Sequence, residues 1–309
     1  MLATIFKDFK NSIKSPDTEE KLDLFFYRPF GYIIAVSANF LGMNPTMLSL
    51  MGLLSGIIAS YYFFYADSFS VILIASLYFV LSGVFDSADG QLARISNQST
   101  SIGLIFDGVC DSLVTIIVYF TCSWNLLVEY NYYYLIVVCT ALYLHSCQCA
   151  ILDFYHREYL YFGYGKIEEF TYWNPDISEG ESLIQNSIST KEKILNILRL
   201  SWIKKQQKMT TRSEGQRKVM RKHFLSISSD EKKIFMNIYK KNNLWLLPFW
   251  RLVGVNAHTV LIIFFMLFKR FDIYLIMFDL VIFNLIILIV GQMQKRADQK
   301  LFSELRLDV

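Results

Sequence analysis

Charge is scarce in this sequence. Asp, Glu, Lys and Arg make up 18% of its 309 residues, against about 25% in soluble domains. With a mean hydropathy of +0.34, that deficit excludes an ordinary soluble protein. It also excludes a disordered chain, which needs low hydrophobicity and high net charge. Glycine (14) and proline (5) are too few for a collagenous or low-complexity polymer. The five cysteines, Cys110, Cys122, Cys139, Cys147 and Cys149, lie inside apolar runs, with neither zinc-ligand spacing nor a disulfide framework. They read as small apolar residues in a reducing or lipid setting. Residues 1–23 alternate charged and apolar side chains and lack the apolar core of a signal peptide. No nucleic-acid partner is expected.

What is present is apolar: 54% of the chain, with 16% aromatic. A bilayer span needs about 20 mostly apolar residues, and six segments qualify: 46–66, 70–94, 102–129, 132–154, 244–268 and 272–293. An earlier stretch, 24–42, is interrupted by Arg28, Pro29 and Gly31 and reads as an interfacial helix leading into Asn44-Pro45-Thr46. The expected fold is all-α: a polytopic membrane protein with six transmembrane helices, an N-terminal interfacial helix and a cytoplasmic helical insert. The divisions are 1–43 (tail and interfacial helix), 44–159 (spans one to four), 160–243 (basic insert), 244–294 (spans five and six) and 295–309 (tail). No internal repeat of the transporter kind is evident.

Lysine and arginine counts predict the orientation. The turns at 67–69 and 130–131 carry none, whereas the tail before residue 24 carries four lysines. Segment 160–243 carries 16 Lys or Arg against nine Asp or Glu, and the C-terminal tail adds Lys295, Arg296, Lys300 and Arg306. Only Lys269 and Arg270 dissent. Both termini and the insert are therefore expected in the cytoplasm. In the insert, Ser189/Glu192 and Ser228/Glu231 have capping-box spacing. Ile194, Leu195, Ile197, Leu198 and Trp202 alternate with Lys193, Arg199, Lys204 and Lys205. Two or three short basic helices on the anionic inner leaflet are expected.

The informative residues lie where spans two and three meet. They read Asp86-x-x-Asp89-Gly90-x-x-Ala93-Arg94, eight residues, then Gly103-x-x-x-Asp107-x-x-x-Asp111. Asp86 and Asp89 share one helical face; Gly103, Asp107 and Asp111 share another. Two consecutive antiparallel helices would point four carboxylates at each other. A carboxylate well inside a span costs about 2.5–3.5 kcal/mol, and four on converging faces repel. Two divalent cations neutralise the set, and hard oxygen ligands suit Mg²⁺ or Mn²⁺. Metals so held bind a diphosphate and stabilise charge on a transferring phosphoryl group. Small residues at Gly90, Ala93 and Gly103 leave room for a ligand, and Arg94 can pair with a phosphate. Ordinary solvated helix-end charges would account for one or two aspartates, but not for four with small residues interleaved.

This pattern resembles the signature of the CDP-alcohol phosphatidyltransferase family, matched at every fixed position over a six-span core of 44–159 and 244–294. The resemblance implies a metal-dependent integral membrane enzyme of phospholipid biosynthesis. Such an enzyme displaces CMP from a CDP-linked alcohol, commonly CDP-diacylglycerol, with the hydroxyl of a polar alcohol acceptor. It implies Asp86, Asp89, Asp107 and Asp111 as ligands to two ions, with Asp111 also the general base. Gly90, Ala93, Arg94 and Gly103 become the CDP-binding surface. It further implies a homodimer; with the lysine and arginine balance above, the expected place is the inner (plasma) membrane among its lipids, with the site on the cytoplasmic side. The long insert departs from compact family members.

Weaker signals remain. His145, Cys149 and His156 share a helical face; a second metal site fits them, but polar lining of an acceptor cavity, with Gln148, Asp153, Arg157 and Glu158, needs fewer assumptions. Arg251, Asn256, His258, Asp279 and Asn284 fit either a cavity lining or interhelical hydrogen bonding. The run Arg212, Arg217, Lys218, Arg221, Lys222 reads as a solvated or lipid-facing basic surface, or as a grip on an acceptor phosphate such as inositol phosphate or glycerol phosphate. Two other functions compete. An aminoalcohol phosphotransferase using CDP-choline or CDP-ethanolamine would be expected to have more spans. A divalent-cation transporter would be expected to hold its acidic residues nearer mid-membrane, without an adjoining Arg94.

Overall fold

The structure, a computed structural model, describes residues 9, 12, 15, 17–166 and 177–307. Its helix ends are set by local capping chemistry. Helix α1 (Arg28–Phe40) continues a π-helical turn at Asp23–Tyr27 and stops where Gly42 adopts a φ of +70°. There Gly42 N–H donates to the Asn39 carbonyl and Met43 N–H to that of Ala38. These two bonds satisfy carbonyls that the helix end leaves open. Asn44 then caps α2 (Pro45–Phe64), its side chain accepting from Met47 N–H at 3.0 Å, with Pro45 in the first helical position.

Helix α3 (Phe69–Ile95) starts on the Ser68 cap and ends at Asn97, whose φ is +54°. Asn tolerates that left-handed conformation, and Gln98 N–H closes the end on the Ala93 carbonyl. Thr100 then caps α4 (Ser101–Cys122), accepting from Gly103 N–H at 3.0 Å. The polar residues between α3 and α4 are thus one helix stop followed directly by one helix start.

Among the described residues there is no strand, and six helices are long and apolar enough to cross a membrane. Five begin within a residue of the expected places; the fifth in chain order is a longer run, Ser229–Leu267, that starts well before 244, and the fourth and sixth also run past their expected ends. Helix α5 (Trp124–Tyr164) has 41 residues, about 60 Å at 1.5 Å per residue, twice the thickness of the hydrocarbon core. The expected turn at 130–131 is helical; the chain breaks instead at Ser123. Glu129 to Tyr133 contains neither Gly nor Pro, so nothing there stops a helix. The insert holds four described helices rather than two or three: α6 (Ile177–Gln185), α7 (Thr190–Met209), α8 (Glu214–Ser226) and α9 (Ser229–Asn243). After a broken stretch through Pro248 and Gly254 come α10 (Val255–Leu267) and, beyond a π-helical segment at Tyr274–Ile282, α11 (Phe283–Glu304).

The chain forms two units. The first comprises residues 1–143 and 258–280. Here α2 packs against both α3 and α4, and α1 packs on α3. Small residues permit these approaches: a Cβ on Gly56 would lie 2.5 Å from Val114 Cγ2, and one on Gly31 would lie 2.7 Å from Gln91 Oε1. A buried polar chain ties the far side of this unit. Tyr119 donates to Asp279 Oδ2 at 2.8 Å, so its oxygen accepts from Tyr274 at 2.6 Å, and Tyr274 in turn accepts from His258 Nδ1 at 2.6 Å. His258 and Asp279 therefore act as interhelical hydrogen-bond partners.

The second unit comprises residues 144–257 and 281–309. Its core is aromatic: Tyr159, Tyr161 and Phe162 of α5 pack with Phe224 of α8, Phe235 and Tyr239 of α9, and Leu301 and Phe302 of α11. Helices α8 and α9 thus bury one face against the ends of α5 and α11. Asp153 of α5 accepts from Arg157 at 2.7 Å, Gln206 at 2.9 Å and Trp202 at 3.4 Å. Lys205 donates to Ser146 at 2.7 Å. The polar end of α5, expected to line an acceptor cavity, here docks α7. His156 is not brought together with His145 and Cys149 as a set of close ligand atoms among the described residues.

Candidate active site

The turn between α3 and α4 determines which carboxylates meet. Asp86 and Asp89 project one turn apart from α3, and Asp107 and Asp111 one turn apart from α4. Ligand oxygens of Asp86, Asp89 and Asp107 all lie within 4.8 Å of one another. Asp111 reaches Asp86 closely enough for a hydrogen bond, and Asp107 reaches Asp89. The structure therefore gathers all four. Asp89 is buried at 5% exposure, whereas Asp86 and Asp111 are open. The cluster has a closed inner wall and an accessible mouth.

Ser49 makes the inner wall. Its hydroxyl donates to Asp89 Oδ2 at 2.5 Å. That bond compensates an otherwise costly buried oxygen and fixes its direction. Ser49 was not expected from the sequence. It begins a stripe of small residues on α2, Ser49, Gly52, Gly56 and Ser60, all buried, whose helical spacing marks the face that meets α3 and α4.

The four residues expected on the nucleotide surface fall into two groups. Gly90, Ala93 and Arg94 continue the Asp86 face of α3 and are half-buried. The Arg94 guanidinium folds back over Gly90, 3.6 Å from where a Cβ would stand. Its Nε donates to the Ser12 carbonyl at 2.6 Å. Gly103 has a local task as well, its N–H being the one that Thr100 caps. A Cβ there would crowd Thr100 Oγ1 at 3.1 Å.

Two further side chains at the mouth were missed. Arg28, at the start of α1, donates to Ser87 Oγ at 3.3 Å and lies near enough to Asp86 to act on it electrostatically. Tyr27 packs over Gly83. Burial first, and then the carboxylates of Asp23 and Asp86, push its hydroxyl up to about 12, so it stays a neutral phenol. The sequence signal was the Tyr27-Arg28-Pro29 interruption itself, which reads as a helix start rather than as part of a site.

Residues 43–170 match the family model for CDP-alcohol phosphatidyltransferase. That segment belongs to this family. Its members are transferases of substituted phosphate groups in phospholipid biosynthesis. No curated protein and no solved structure matches the chain significantly. The phosphatidyltransferase segment begins just before the Asn44 cap and includes α2, α3, α4 and all four aspartates. Helices α6 to α11 lie beyond it, so the match does not reach the 244–294 part of the expected six-span core. The six apolar helices fit a multi-pass membrane protein, and members of the matched family use CDP-alcohol donors and alcohol acceptors.

Proposed function

We propose that the protein transfers a phosphatidyl group from CDP-diacylglycerol to the hydroxyl of a polar alcohol, with release of CMP. The observation that carries this is the convergence of four carboxylates from α3 and α4 inside the phosphatidyltransferase segment. Three carboxylates with oxygens within 4.8 Å suit Mg²⁺ or Mn²⁺. Asp86, Asp89 and Asp107 would hold the metal, with Asp111 bordering it, and four negative charges match two divalent ions. Bound there, the ions would neutralise the donor diphosphate and stabilise charge at the transferring phosphorus.

The protein's own groups then divide the work. Asp111, exposed at the mouth, accepts the proton of the acceptor hydroxyl. The hydroxyl oxygen forms a new bond to the lipid-side phosphorus as the bond from that phosphorus to the CMP oxygen breaks, and CMP leaves with that electron pair. Arg94 pairs with the nucleotide's phosphate. Ser49 keeps Asp89 oriented throughout. The basic balance of the tails and insert supports a cytoplasmic site in an inner (plasma) membrane. The family resemblance supports a homodimer.

The acceptor is a polar alcohol. The case for a phosphorylated acceptor no longer gains from Arg212 and Arg217. Arg212 is buried among carboxylates, and Arg217 donates to Thr210 Oγ1 and to the Arg212 carbonyl.

The test is CMP release from CDP-diacylglycerol with Mg²⁺ or Mn²⁺, using inositol phosphate, glycerol phosphate, inositol and serine in turn. Asp111→Asn should lower release by about 10²–10⁴-fold while the protein extracts and melts as wild type does. Full activity in that variant would remove Asp111 as the base.

A further inference from the structure

Arg28 and Arg94 are each held by a residue that precedes α1. Arg94 Nε donates to the Ser12 carbonyl at 2.6 Å, and Gln91, fully buried on the same helix, donates to Ser12 Oγ at 3.1 Å. Ser12 Oγ in turn donates a hydrogen bond to the Phe9 carbonyl at 2.7 Å, and the Phe9 ring packs edge-on against Tyr32 of α1. The Ser15 carbonyl accepts from Thr18 and Glu19 N–H, closing a turn seven residues after Ser12 at Glu19. The turn delivers Glu19, buried at 5% exposure, to Arg28 Nε at 2.9 Å. Arg28 then reaches Ser87, the neighbour of Asp86.

The two arginines sit on either side of the site on α3. One acts at Asp86 and the other lies two turns on, about 12 Å along the helix axis. A guanidinium on a long flexible stem loses much freedom when it binds, unless it is already held. A buried Glu19 has one evident use: it fixes Arg28, and in doing so takes that arginine partly away from Asp86. Gly31 lets α1 approach α3 between the two arginines, at Ser87 and Gln91.

We propose that Ser12 and Glu19 set Arg94 and Arg28 for the donor's phosphates. Arg28 is then a further donor-binding residue, and Glu19 is a positioning residue. This rests on the transferase reading above. In it, Glu19 balances Arg28 so that the guanidinium neither collapses onto Asp86 nor swings into solvent. The donor's anionic phosphates meet two cations whose geometry is already set.

The test is the kinetics of CMP release by the full-length protein, with CDP-diacylglycerol and acceptor varied separately. CMP binding in the presence of Mg²⁺ and the melting temperature are measured alongside. Glu19→Gln should raise the donor KM by about 3- to 10-fold, the size of one weakened charge-assisted contact. It should leave the acceptor KM unchanged and kcat within about two-fold. Arg28→Gln should raise the donor KM at least as much, and Arg28→Lys should not restore it, because a point charge cannot span Glu19 and Ser87 together. The double exchange Glu19→Arg with Arg28→Glu should recover the melting temperature but not the donor KM. Recovery of both would reduce the pair to a structural tie and overturn the proposal, as would an unchanged donor KM in Glu19→Gln. Wild-type protein that neither releases CMP from any CDP-alcohol nor binds CMP would instead remove the transferase reading, and the purpose of this positioning with it.

Discussion

Replacing Arg212 with methionine should unfold the second unit locally and lower the melting temperature steeply. Arg212 sits in the link between α7 and α8 at 2% side-chain exposure, between Glu158 of α5 (1%) and Asp298 of α11 (7%). Its Nη1 meets Glu158, and its Nη2 meets Asp298 at 2.6 Å. Burial disfavours its charge, but the carboxylates of Asp298 and Glu158 outweigh that and hold it well above the ordinary arginine value. The carboxylates are also bound elsewhere: Tyr239 donates to Glu158 at 3.1 Å, Thr211 to Asp298 at 2.7 Å and Gln294 to Asp298 at 2.8 Å. Methionine fills the stem's volume but leaves two buried carboxylates facing each other without a cation. Removing one partner of a buried ion pair costs about 3–5 kcal/mol. For a chain of this size that corresponds to a fall of about 10 °C. The assay is thermal unfolding of the purified protein in detergent, with hydrogen exchange followed at residues 210–217. Lys218→Ala, at an exposed pair with Glu214, should leave both unchanged. The triple variant Arg212→Met, Glu158→Gln, Asp298→Asn removes the uncompensated charge and should recover most of the loss. A melting temperature within about 2 °C of wild type for Arg212→Met alone would refute the reasoning, because it would mean that the buried carboxylates need no cation.

Two further outcomes follow from the first unit. Ser49→Ala removes the 2.5 Å bond to Asp89 and should raise the Mg²⁺ concentration for half-maximal activity by about 10-fold or more, as loss of a ligand's hydrogen-bond partner commonly does; an unchanged metal titration would exclude this role. Gly56→Val would set a Cβ 2.5 Å from Val114 Cγ2, pushing α2 off α4 at a cost of about 1–3 kcal/mol. The expected readouts are a lower melting temperature and lower activity; a wild-type melt would show that the helices do not approach as described.

The aspartates were legible in the sequence because each is an isolated charge in an apolar run. Helical period then places Asp86 with Asp89 and Asp107 with Asp111 without any tertiary information. Their convergence needed only the short link, whose stop at Asn97 and start at Thr100 are local chemistry. Ser49, Arg28 and Glu19 were not legible, because their roles depend on which helix lies opposite. A serine in a span and an arginine at an interface are ordinary on their own. The basic insert misled for a related reason. Lys218 and Lys222 are exposed as a solvated surface would have them, but Arg212 in the same run is buried. Sequence spacing cannot separate them, since the carboxylates that bury Arg212 come from positions 54 residues before it and 86 after it.

That difference bears on how the two units use charge. In the second unit, each buried carboxylate around Arg212 is matched by a cation or a donor within the chain, so the cluster is closed and serves packing. In the first unit, four carboxylates have converged, and Arg28 and Arg94 are engaged by Glu19 and the Ser12 carbonyl. Ser49 reaches one carboxylate. Two arginines could not offset four carboxylates even if both were turned inward. A cluster whose carboxylates outnumber the cations beside it could hold a divalent metal ion, which would enter with the donor at the open mouth by Asp86 and Asp111.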